Sequence, residues 1–382
     1  MKRISMVAAA FSVMTLVACS ADDSASFSDG AGGAKNVGPA YGSSSGGSAA
    51  PSGSSGSVTG GTSSGSVPAP AEEKDSADAE GKPTQNAPQA GQLTAGVWDD
   101  NLNFDFYKKY LTLSGNPAER GLPSFSLEER TTARTQLLQR GAKTELDVTF
   151  VLDTTGSMGD ELSYLQSEID GIAQSIAAKH PQMQPRFNLV VYRDSYDDYI
   201  SKGFQWGSAA DLKKVLDQQS VNGGGDYPEA VAAGLQTTAD LDWRPGANVA
   251  RMAFWVADAP HHIGEETQVH DAIVKASKKD VHLYPVAASG TDDRAEFTMR
   301  TAAQMTGGRY IFLTDDSGIG NDHAEPHIPC YEVTSFRGAL VRMVESELSG
   351  ARVAPAANEI VRTVGNPENG QCTISSGNVS IY

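Results

Sequence analysis

The chain has 382 residues, which is enough for one large domain or two small ones. Its net charge of −17 argues against nucleic acid as a partner and favours divalent cations as ligands. Only 20% of the residues are charged, and the 39 glycines are unevenly spread along the chain.

The N-terminus has the pattern of an export signal. Lys2 and Arg3 precede an apolar run at residues 4–18 that is too short for a settled membrane span. The sequence Leu-Val-Ala-Cys at residues 16–19 resembles the bacterial lipobox, in which Cys19 becomes the lipidated first residue of the mature protein. We therefore expect a signal peptide at residues 1–18 and a lipid anchor that does not span the membrane. The alternative is an ordinary signal peptide with a chance cysteine.

Residues 19–92 are predicted to form a disordered, low-complexity linker. Ser, Gly, Ala and Pro dominate this segment, and it has too few large apolar residues to bury a core. Ser20 lacks the aspartate that often marks retention of lipoproteins in the inner membrane. We therefore expect a protein of the bacterial cell envelope, at the outer membrane, on its periplasmic or surface side.

Residues 93–145 contain enough aromatic side chains to pack against another surface, and we interpret them as a flank packed on the main domain. The acidic and amide residues between positions 99 and 103 imitate the start of an EF-hand loop. Phe104 and Tyr110 stand where that loop needs glycine and glutamate, so the EF-hand interpretation fails.

Strand and helix patterns alternate from residue 147 to residue 349. Short apolar runs rich in β-branched residues, such as 147–152, suit buried parallel strands, whereas segments such as 160–179 are apolar on one face only. This alternation predicts a Rossmann-like, doubly wound and mostly parallel α/β sheet. We place the domain at residues 146–350 and a C-terminal extension at residues 351–382.

Four predicted loops bring acidic side chains to what should be one edge of this sheet. The first predicted strand ends at Asp153, and two hydroxyl residues follow it on a tight loop. The remaining acids come from three further loops: Asp194, Asp226, Glu229 and Asp258. Ligands of open α/β sheets bind just outside the carboxyl ends of the strands. Carboxylate and hydroxyl oxygens suit a hard divalent cation such as Mg²⁺, Ca²⁺ or Mn²⁺.

These loops resemble those of the von Willebrand factor A (vWA) fold and its metal-ion-dependent adhesion site. DTTGS at residues 153–157 is similar to the family's Asp-x-Ser-x-Ser motif. GGGDYPE at residues 223–229 is similar to the Asp-Ser-Pro-Glu loop of integrin β subunits, where the glutamate replaces a metal-binding threonine. DAPH at residues 258–261 resembles the Asp-Ala-Gly-Phe-His stretch of that branch. The resemblance covers residues 146–348.

The resemblance implies a set of five metal ligands. Asp153 would bind the cation directly or through water, the hydroxyls of Thr155 and Ser157 directly, and Asp258 through water. Glu229 would stand in for the threonine of other family members. The alternative for an isolated hydroxyl is helix capping, and Ser157 could cap the helix predicted to follow it.

The resemblance also implies possible neighbouring metal sites. Asp160 and Glu161 fall where the integrin branch has an adjacent acidic pair. Asp194 and Asp226 fall where it has a second neighbouring site, although Gly224 replaces the asparagine of that site.

The implied function is metal-dependent protein binding rather than catalysis. A carboxylate of the partner, from Asp or Glu, would complete the coordination shell of the cation, which we expect to be Mg²⁺, with Ca²⁺ or Mn²⁺ as alternatives. The acidic and aromatic loop at residues 192–199 is either solvated or shapes the choice of partner.

Two other site chemistries compete with this interpretation. DTTG at residues 153–156 resembles the phosphoaspartyl loop of haloacid-dehalogenase-type phosphatases, but the second acid of that class is missing. A zinc site could use His261, His262 and His270, although no accompanying cysteine or His-x-x-x-His spacing supports it. Ser/His/Asp catalysis has no support, because no serine lies in a nucleophile elbow.

Cys330 and Cys372 remain as an even pair once Cys19 carries lipid. Because the envelope is an oxidising compartment, we expect these two cysteines to form a disulfide that ties the chain end to the domain. The alternatives are two unpaired thiols or a bond to another chain.

Overall fold

The computed structural model describes residues 91–98, 121–138, 140–326, 330–368, 371–374 and 377–380. The predicted signal peptide, Cys19 and all but the last two residues of the predicted linker lie outside this described part. Within it, no helix combines the length and the apolar character needed to cross a lipid bilayer.

A nine-stranded sheet forms the centre of the fold. Its strands are β1 (Thr94–Trp98), β2 (Glu145–Asp153), β3 (Arg186–Tyr192), β4 (Ser201–Gly203), β5 (Val249–Ala257), β6 (His282–Ala287), β7 (Tyr310–Leu313), β8 (Tyr331–Ser335) and β9 (Arg362–Val364). They lie in the order β4-β3-β2-β5-β6-β7-β1-β8-β9. The five strands from β3 to β7 in this order run parallel, and β4, β1, β8 and β9 each pair antiparallel with a neighbour.

Helices cover both faces of the sheet. They are α1 (Leu127–Leu138), α2 (Leu162–Lys179), α3 (Ala209–Leu216), α4 (Val231–Asp240), α5 (Glu266–Lys278), α6 (Asp293–Thr306) and α7 (Phe336–Ser349). Apolar side chains of α2, α3 and α7 pack in a core on one face, and those of α4, α5 and α6 pack in a second core on the other. Since both faces are covered, the central strands are rich in buried apolar residues, and all nine residues of β5 are buried. The predicted doubly wound, mostly parallel sheet is confirmed.

The register of the central strands aligns their carboxyl ends. Asp153, the last residue of β2, lies opposite Tyr192, the last residue of β3. Leu152 of β2 lies opposite Val256 of β5, so that β5 ends one residue before Asp258 at the same level. The loops that follow these three strands therefore meet at one edge of the sheet.

The helix after the glycine-rich loop begins later than the sequence suggests. The proline at position 228 suggests a helix beginning there, but α4 begins at Val231. The backbone N–H of Glu229 donates to the carbonyl of Pro260 at 2.9 Å, and Glu229 forms an isolated parallel bridge with His261. This pairing holds Glu229 in an extended conformation beside the loop that follows β5. The helix therefore begins only after Glu229, at Val231.

The segments that flank the central domain add strands of their own. β1 lies between β7 and β8, and the N–H of Leu93 just before it donates to Glu168 Oε1 at 3.0 Å. Near the C-terminus, β10 (Pro367–Glu368), β11 (Gln371–Ile374) and β12 (Gly377–Ser380) form a small antiparallel sheet. Cys330 is fully buried and disulfide-bonded. Because the side chain of Cys372 lies outside the described part, its pairing with Cys330 stays a prediction.

Candidate metal centre

The loop after β2 gathers the first three predicted ligands. Asp153 is fully buried, and its Oδ1 accepts hydrogen bonds from the backbone N–H of Thr155 at 3.0 Å and from the Thr155 hydroxyl at 2.7 Å. The hydroxyls of Thr155 and Ser157 lie 3.2 Å apart. Ser157 lies inside a short 3-10 helix, Gly156–Asp160, which α2 follows. Neither helix has a side-chain cap, so the capping alternative for Ser157 is wrong. One carboxylate and two hydroxyls therefore converge as predicted.

The glycine-rich loop before α4 brings Glu229 to the same place. The N–H of Gly156 donates to the carbonyl of Gly223 at 3.1 Å, which fastens this loop to the loop after β2. Gly224 has a φ of +70°, and a Cβ there would lie 2.9 Å from Glu229 Oε1 and 3.2 Å from Thr155 Cβ. Because Gly224 has no side chain, the carboxylate of Glu229 and the side chain of Thr155 can both approach its backbone.

The loop after β5 supplies Asp258, which is 3% exposed. The Tyr227 hydroxyl contacts the carbonyl oxygens of Asp258 at 3.2 Å and Gly290 at 2.8 Å. The same hydroxyl accepts a hydrogen bond from the N–H of Asp292 at 3.1 Å. Tyr227 therefore joins the loop that carries Glu229 to the loops after β5 and β6, and the sequence reasoning gave it no role.

Burial and mutual repulsion raise the pKa values of the three buried acids. Burial is the main cause at each of them. It raises the pKa of Asp153 to about 6 and, together with repulsion from Asp153, Asp194 and Asp258, raises the pKa of Glu229 to about 10. Burial and repulsion from Asp153 hold the pKa of Asp258 well above its usual value, and the hydroxyl of Ser157 counteracts this rise.

The donor set at this edge fits a hard divalent cation. One oxygen of each acid is buried and has no hydrogen-bond partner among the described residues: Asp153 Oδ2, Glu229 Oε2 and Asp258 Oδ1. Buried carboxylate oxygens normally have partners, and a bound cation would be such a partner. In the described ranges, no group of three or more His, Cys, Asp and Glu side chains has the arrangement of a metal site by itself. Here two hydroxyls complete the donor set, and oxygen ligands of this kind suit Mg²⁺, Ca²⁺ or Mn²⁺.

Three of the four acids predicted for neighbouring metal sites have other contacts, although Asp160 Oδ1 and Glu161 Oε2 are buried without a hydrogen-bond partner among the described residues. Glu161 Oε1 lies 2.8 Å from His323 Nε2, and Asp160 Oδ2 accepts a hydrogen bond from the N–H of Asn321 at 2.6 Å. On the other side, Asp194 Oδ1 lies 2.5 Å from His262 Nε2. The fourth acid, Asp226, is exposed.

His323 is a second residue of this region, after Tyr227, that the sequence did not indicate. It lies on the loop after β7, at the same edge of the sheet, and its Nδ1 is 2.8 Å from Asp315 Oδ1. Burial lowers its pKa, but the contacts with Glu161 and Asp315 outweigh burial and raise the pKa above its usual value. Its position after a core strand is the one sequence signal that could have drawn attention to it.

The three histidines of the zinc alternative face different partners. His261 is buried beside the hydroxyl of Thr298 at 3.3 Å, and burial lowers its pKa to about 3. His262 contacts Asp194, and the ring of His270 packs against Phe125 with centroids 4.4 Å apart.

Comparisons with known proteins identify the fold of this region. Residues 147–315 match the family described as von Willebrand factor A domain. One curated relative is the alpha-protein kinase vwkA of Dictyostelium discoideum, 28% identical over 130 residues, which are 33% of this chain and 20% of that protein. Another is the putative ariadne-like RING finger protein R811 of Acanthamoeba polyphaga mimivirus, 32% identical over 188 residues, which are 44% of this chain and 18% of that protein. The chain thus spans about a fifth of the length of these relatives.

Two solved structures are also similar to this chain. The pilus adhesin SpaC from Lactobacillus rhamnosus GG, in its open conformation, has a TM-score of 0.34 and 11% identity, over 44% of this chain and 27% of that one. The proximal thread matrix protein 1 of the mussel byssus has a TM-score of 0.33 and 18% identity, over 44% of this chain and 41% of that one.

The family match agrees with the topology and does not favour the phosphatase alternative. Domains of this family commonly mediate adhesion between proteins. The finer resemblance, to the metal site of integrin β subunits, stays a prediction. Residues 147–315 of this chain therefore resemble a von Willebrand factor A domain.

Proposed function

We propose that this vWA domain binds a protein partner through a divalent cation and does not catalyse a reaction. The supporting observation is that three buried carboxylate oxygens without hydrogen-bond partners among the described residues lie beside two hydroxyls. The proposed ligands are Asp153, Thr155, Ser157, Glu229 and Asp258. We expect Mg²⁺ to be the cation, with Ca²⁺ or Mn²⁺ as alternatives.

Hydrogen bonds within the chain orient the residues of the site. The hydrogen bonds of Thr155 orient its hydroxyl and the carboxylate of Asp153 together. Backbone pairing with Pro260 places Glu229. A cation bound here would supply positive charge at the surface, with a coordination position left for an Asp or Glu carboxylate of the partner.

The loops around the site offer apolar contacts to such a partner. Among the described residues, four of the six exposed large apolar side chains lie on these loops: Tyr196, Ile200, Tyr227 and Ile263. The loops contact one another, because Asp197 accepts a hydrogen bond from Gly224 and Asp194 contacts His262. Exposed apolar side chains gathered around a polar site are typical of protein-binding surfaces. We therefore infer that the partner places apolar side chains beside its carboxylate.

We also propose that the domain works on the bacterial cell envelope. In this proposal Cys19 carries lipid at the outer membrane, and the segment at residues 19–92 holds the domain away from the membrane surface. Labelled fatty acid should enter the wild-type protein but not a Cys19→Ser variant. Release of an unmodified, soluble protein would contradict the anchor without affecting the metal site.

Metal-dependent capture tests the central proposal. The full-length protein in detergent serves as bait for envelope proteins, with millimolar Mg²⁺ or with a chelator. We expect the partner to be retained with Mg²⁺, and lost with the chelator or when Asp153→Ala replaces the wild type. Calorimetry of the same protein with Mg²⁺, Mn²⁺ and Ca²⁺ gives an independent result. Absence of binding by all three at millimolar concentration would overturn the proposal.

A further inference from the structure

The chain enters the sheet at the edge that carries the candidate metal centre. β1 runs antiparallel to β7, and Ala95 near its start lies opposite Leu313, the last residue of β7. Just beyond that end, the N–H of Thr314 donates to the carbonyl of Thr94 at 3.0 Å. Because β7 is parallel to β2 and β5, the start of β1 lies at the same edge of the sheet as the proposed metal ligands.

Hydrogen bonds fix the point at which the N-terminal segment joins the domain. The N–H of Leu93 donates to Glu168 Oε1 at 3.0 Å, and the carbonyl of Leu93 accepts from the N–H of Phe336 at 2.8 Å. In the sheet order, β1 lies three strand spacings from β5 and four from β2. At about 4.8 Å per spacing, the entry point is therefore about 14–19 Å from the strand ends that carry the metal ligands.

Acidic residues cluster in the part of the predicted linker that precedes this point. Residues 30–71 contain no acid, whereas residues 72–80 carry five: Glu72, Glu73, Asp75, Asp78 and Glu80. This cluster lies outside the described residues. As a flexible chain, the stretch of about 11 to 16 residues that separates Glu80 and Asp75 from Gly91 has a root-mean-square span of about 18–22 Å. That span matches the distance across the sheet, which is the condition for the highest effective concentration of an intramolecular ligand.

We propose that a carboxylate of residues 72–80 binds the metal centre of its own chain and competes with the protein partner. The inference rests on the proposed function, since it names an occupant for the coordination position that the five ligands leave open. Asp153, Glu229 and Asp258 would repel an acidic segment, so the contact depends on the cation. A partner must then displace the segment, which lowers its apparent affinity.

A fluorescent peptide of residues 71–81 tests the inference. It is added to full-length protein in detergent, either the wild type or a neutralised variant. The neutralised variant carries Glu72→Gln, Glu73→Gln, Asp75→Asn, Asp78→Asn and Glu80→Gln. Fluorescence anisotropy should show binding to the neutralised variant with Mn²⁺ but not with a chelator, and binding to the wild type about tenfold more weakly. An effective concentration of about 1 mM for the chain's own segment, against a peptide dissociation constant of about 0.1 mM, gives this factor.

The control variant carries Asp22→Asn, Asp23→Asn and Asp29→Asn. These acids lie about 60 residues or more before Gly91, where the effective concentration is about tenfold lower, so the control should behave as the wild type. Equal peptide affinity in the wild type and the neutralised variant would overturn the inference. A neutralised variant that binds Mn²⁺ in a calorimeter but not the peptide would also overturn it, and would leave the proposed function standing. Failure of both proteins to bind Mn²⁺ would overturn the proposed function as well.

Discussion

Asp153 is a buried carboxylate whose two oxygens have different surroundings. Oδ1 accepts two hydrogen bonds from Thr155, whereas Oδ2 has no partner within the described ranges. The sequence predicted this residue because a strand and the loop that follows it are local features. The sequence could not show that Asp226 is exposed while Glu229 is buried. That difference arises because Glu229 pairs with the loop after β5, a contact between distant segments of the chain.

Gly224 tests the placement of Glu229 beside Thr155. In Gly224→Ala the new Cβ would lie 2.9 Å from Glu229 Oε1, so the carboxylate must move away from Thr155. We expect Mn²⁺ affinity to fall about tenfold, which corresponds to about 1.4 kcal/mol. Calorimetric titration measures the change. Gly318→Ala is the matched control, because Gly318 has a φ of +66° but no described atom within 4 Å of its Cβ position. Equal affinities in the two variants would contradict the crowding argument.

Metal binding should release protons and strengthen as pH rises. The pKa of Asp153 is raised to about 6 and that of Glu229 to about 10, so the metal-free site holds protons near neutral pH. A cation must displace them, and we expect at least about one proton to be released per Mn²⁺ at neutral pH. Calorimetry in buffers with different ionisation enthalpies gives this number. Affinity that is constant between pH 6 and pH 8, with no proton release, would contradict the prediction.

At the level of elements, the parallel core was predictable and the antiparallel additions were not. β2, β3 and β5 are rich in apolar residues, and this composition indicates buried strands. β1 is only five residues long and includes Ala95 and Gly96, and it is a strand because β7 and β8 supply hydrogen bonds on both sides. Pairing between distant segments is the information that a local pattern lacks.

The apolar loop residues should contribute to partner binding without affecting the metal. Tyr196 is 99% exposed and Ile263 is 69% exposed. Burying such side chains against a partner contributes about 1–3 kcal/mol each, so Tyr196→Ser with Ile263→Ser should weaken binding at least about tenfold. The readout is the amount of partner retained in Mg²⁺-dependent capture, with Mn²⁺ affinity unchanged. Leu127→Ser and Val361→Ser alter apolar side chains that are also exposed but lie on α1 and near β9, and they should have no effect. A similar loss of partner in these controls would contradict the proposed surface.

Across the whole molecule, the two ends of β2 carry acids with opposite electrostatic roles. Asp153, at the carboxyl end, is buried among other acids, and its raised pKa destabilises the metal-free fold as pH rises through about 6. Asp147, near the other end, is equally buried but contacts Arg186 at 2.6 Å and Arg244 at 2.7 Å. The ion pairs of Asp147 therefore lie at one end of β2 and the unpartnered oxygen of Asp153 at the other.

Asp147→Asn should destabilise the protein and leave the metal site intact. The variant leaves two guanidinium groups facing a neutral amide, and breaking a buried pair of this kind costs about 3–5 kcal/mol. Burial raises the pKa of Asp147, but hydrogen bonds from Arg186 and Arg244 outweigh burial and lower it below its usual value. The stabilisation is therefore complete above the unfolded-state pKa of about 4 and is lost as pH falls through the lower folded-state pKa.

Denaturant melts from pH 7 down to pH 3 should show the two proteins converging only below pH of about 4. Asp217→Asn is the matched control, because that acid is 53% exposed and pairs with Lys213 at the surface, where removal costs at most about 1 kcal/mol. Mn²⁺ affinity should be equal in the wild type and both variants, since Asp147 lies at the opposite end of β2 from Asp153. A loss of Mn²⁺ affinity in folded Asp147→Asn would show that the two ends of the sheet are coupled, which the separate hydrogen-bond networks of the described residues do not predict.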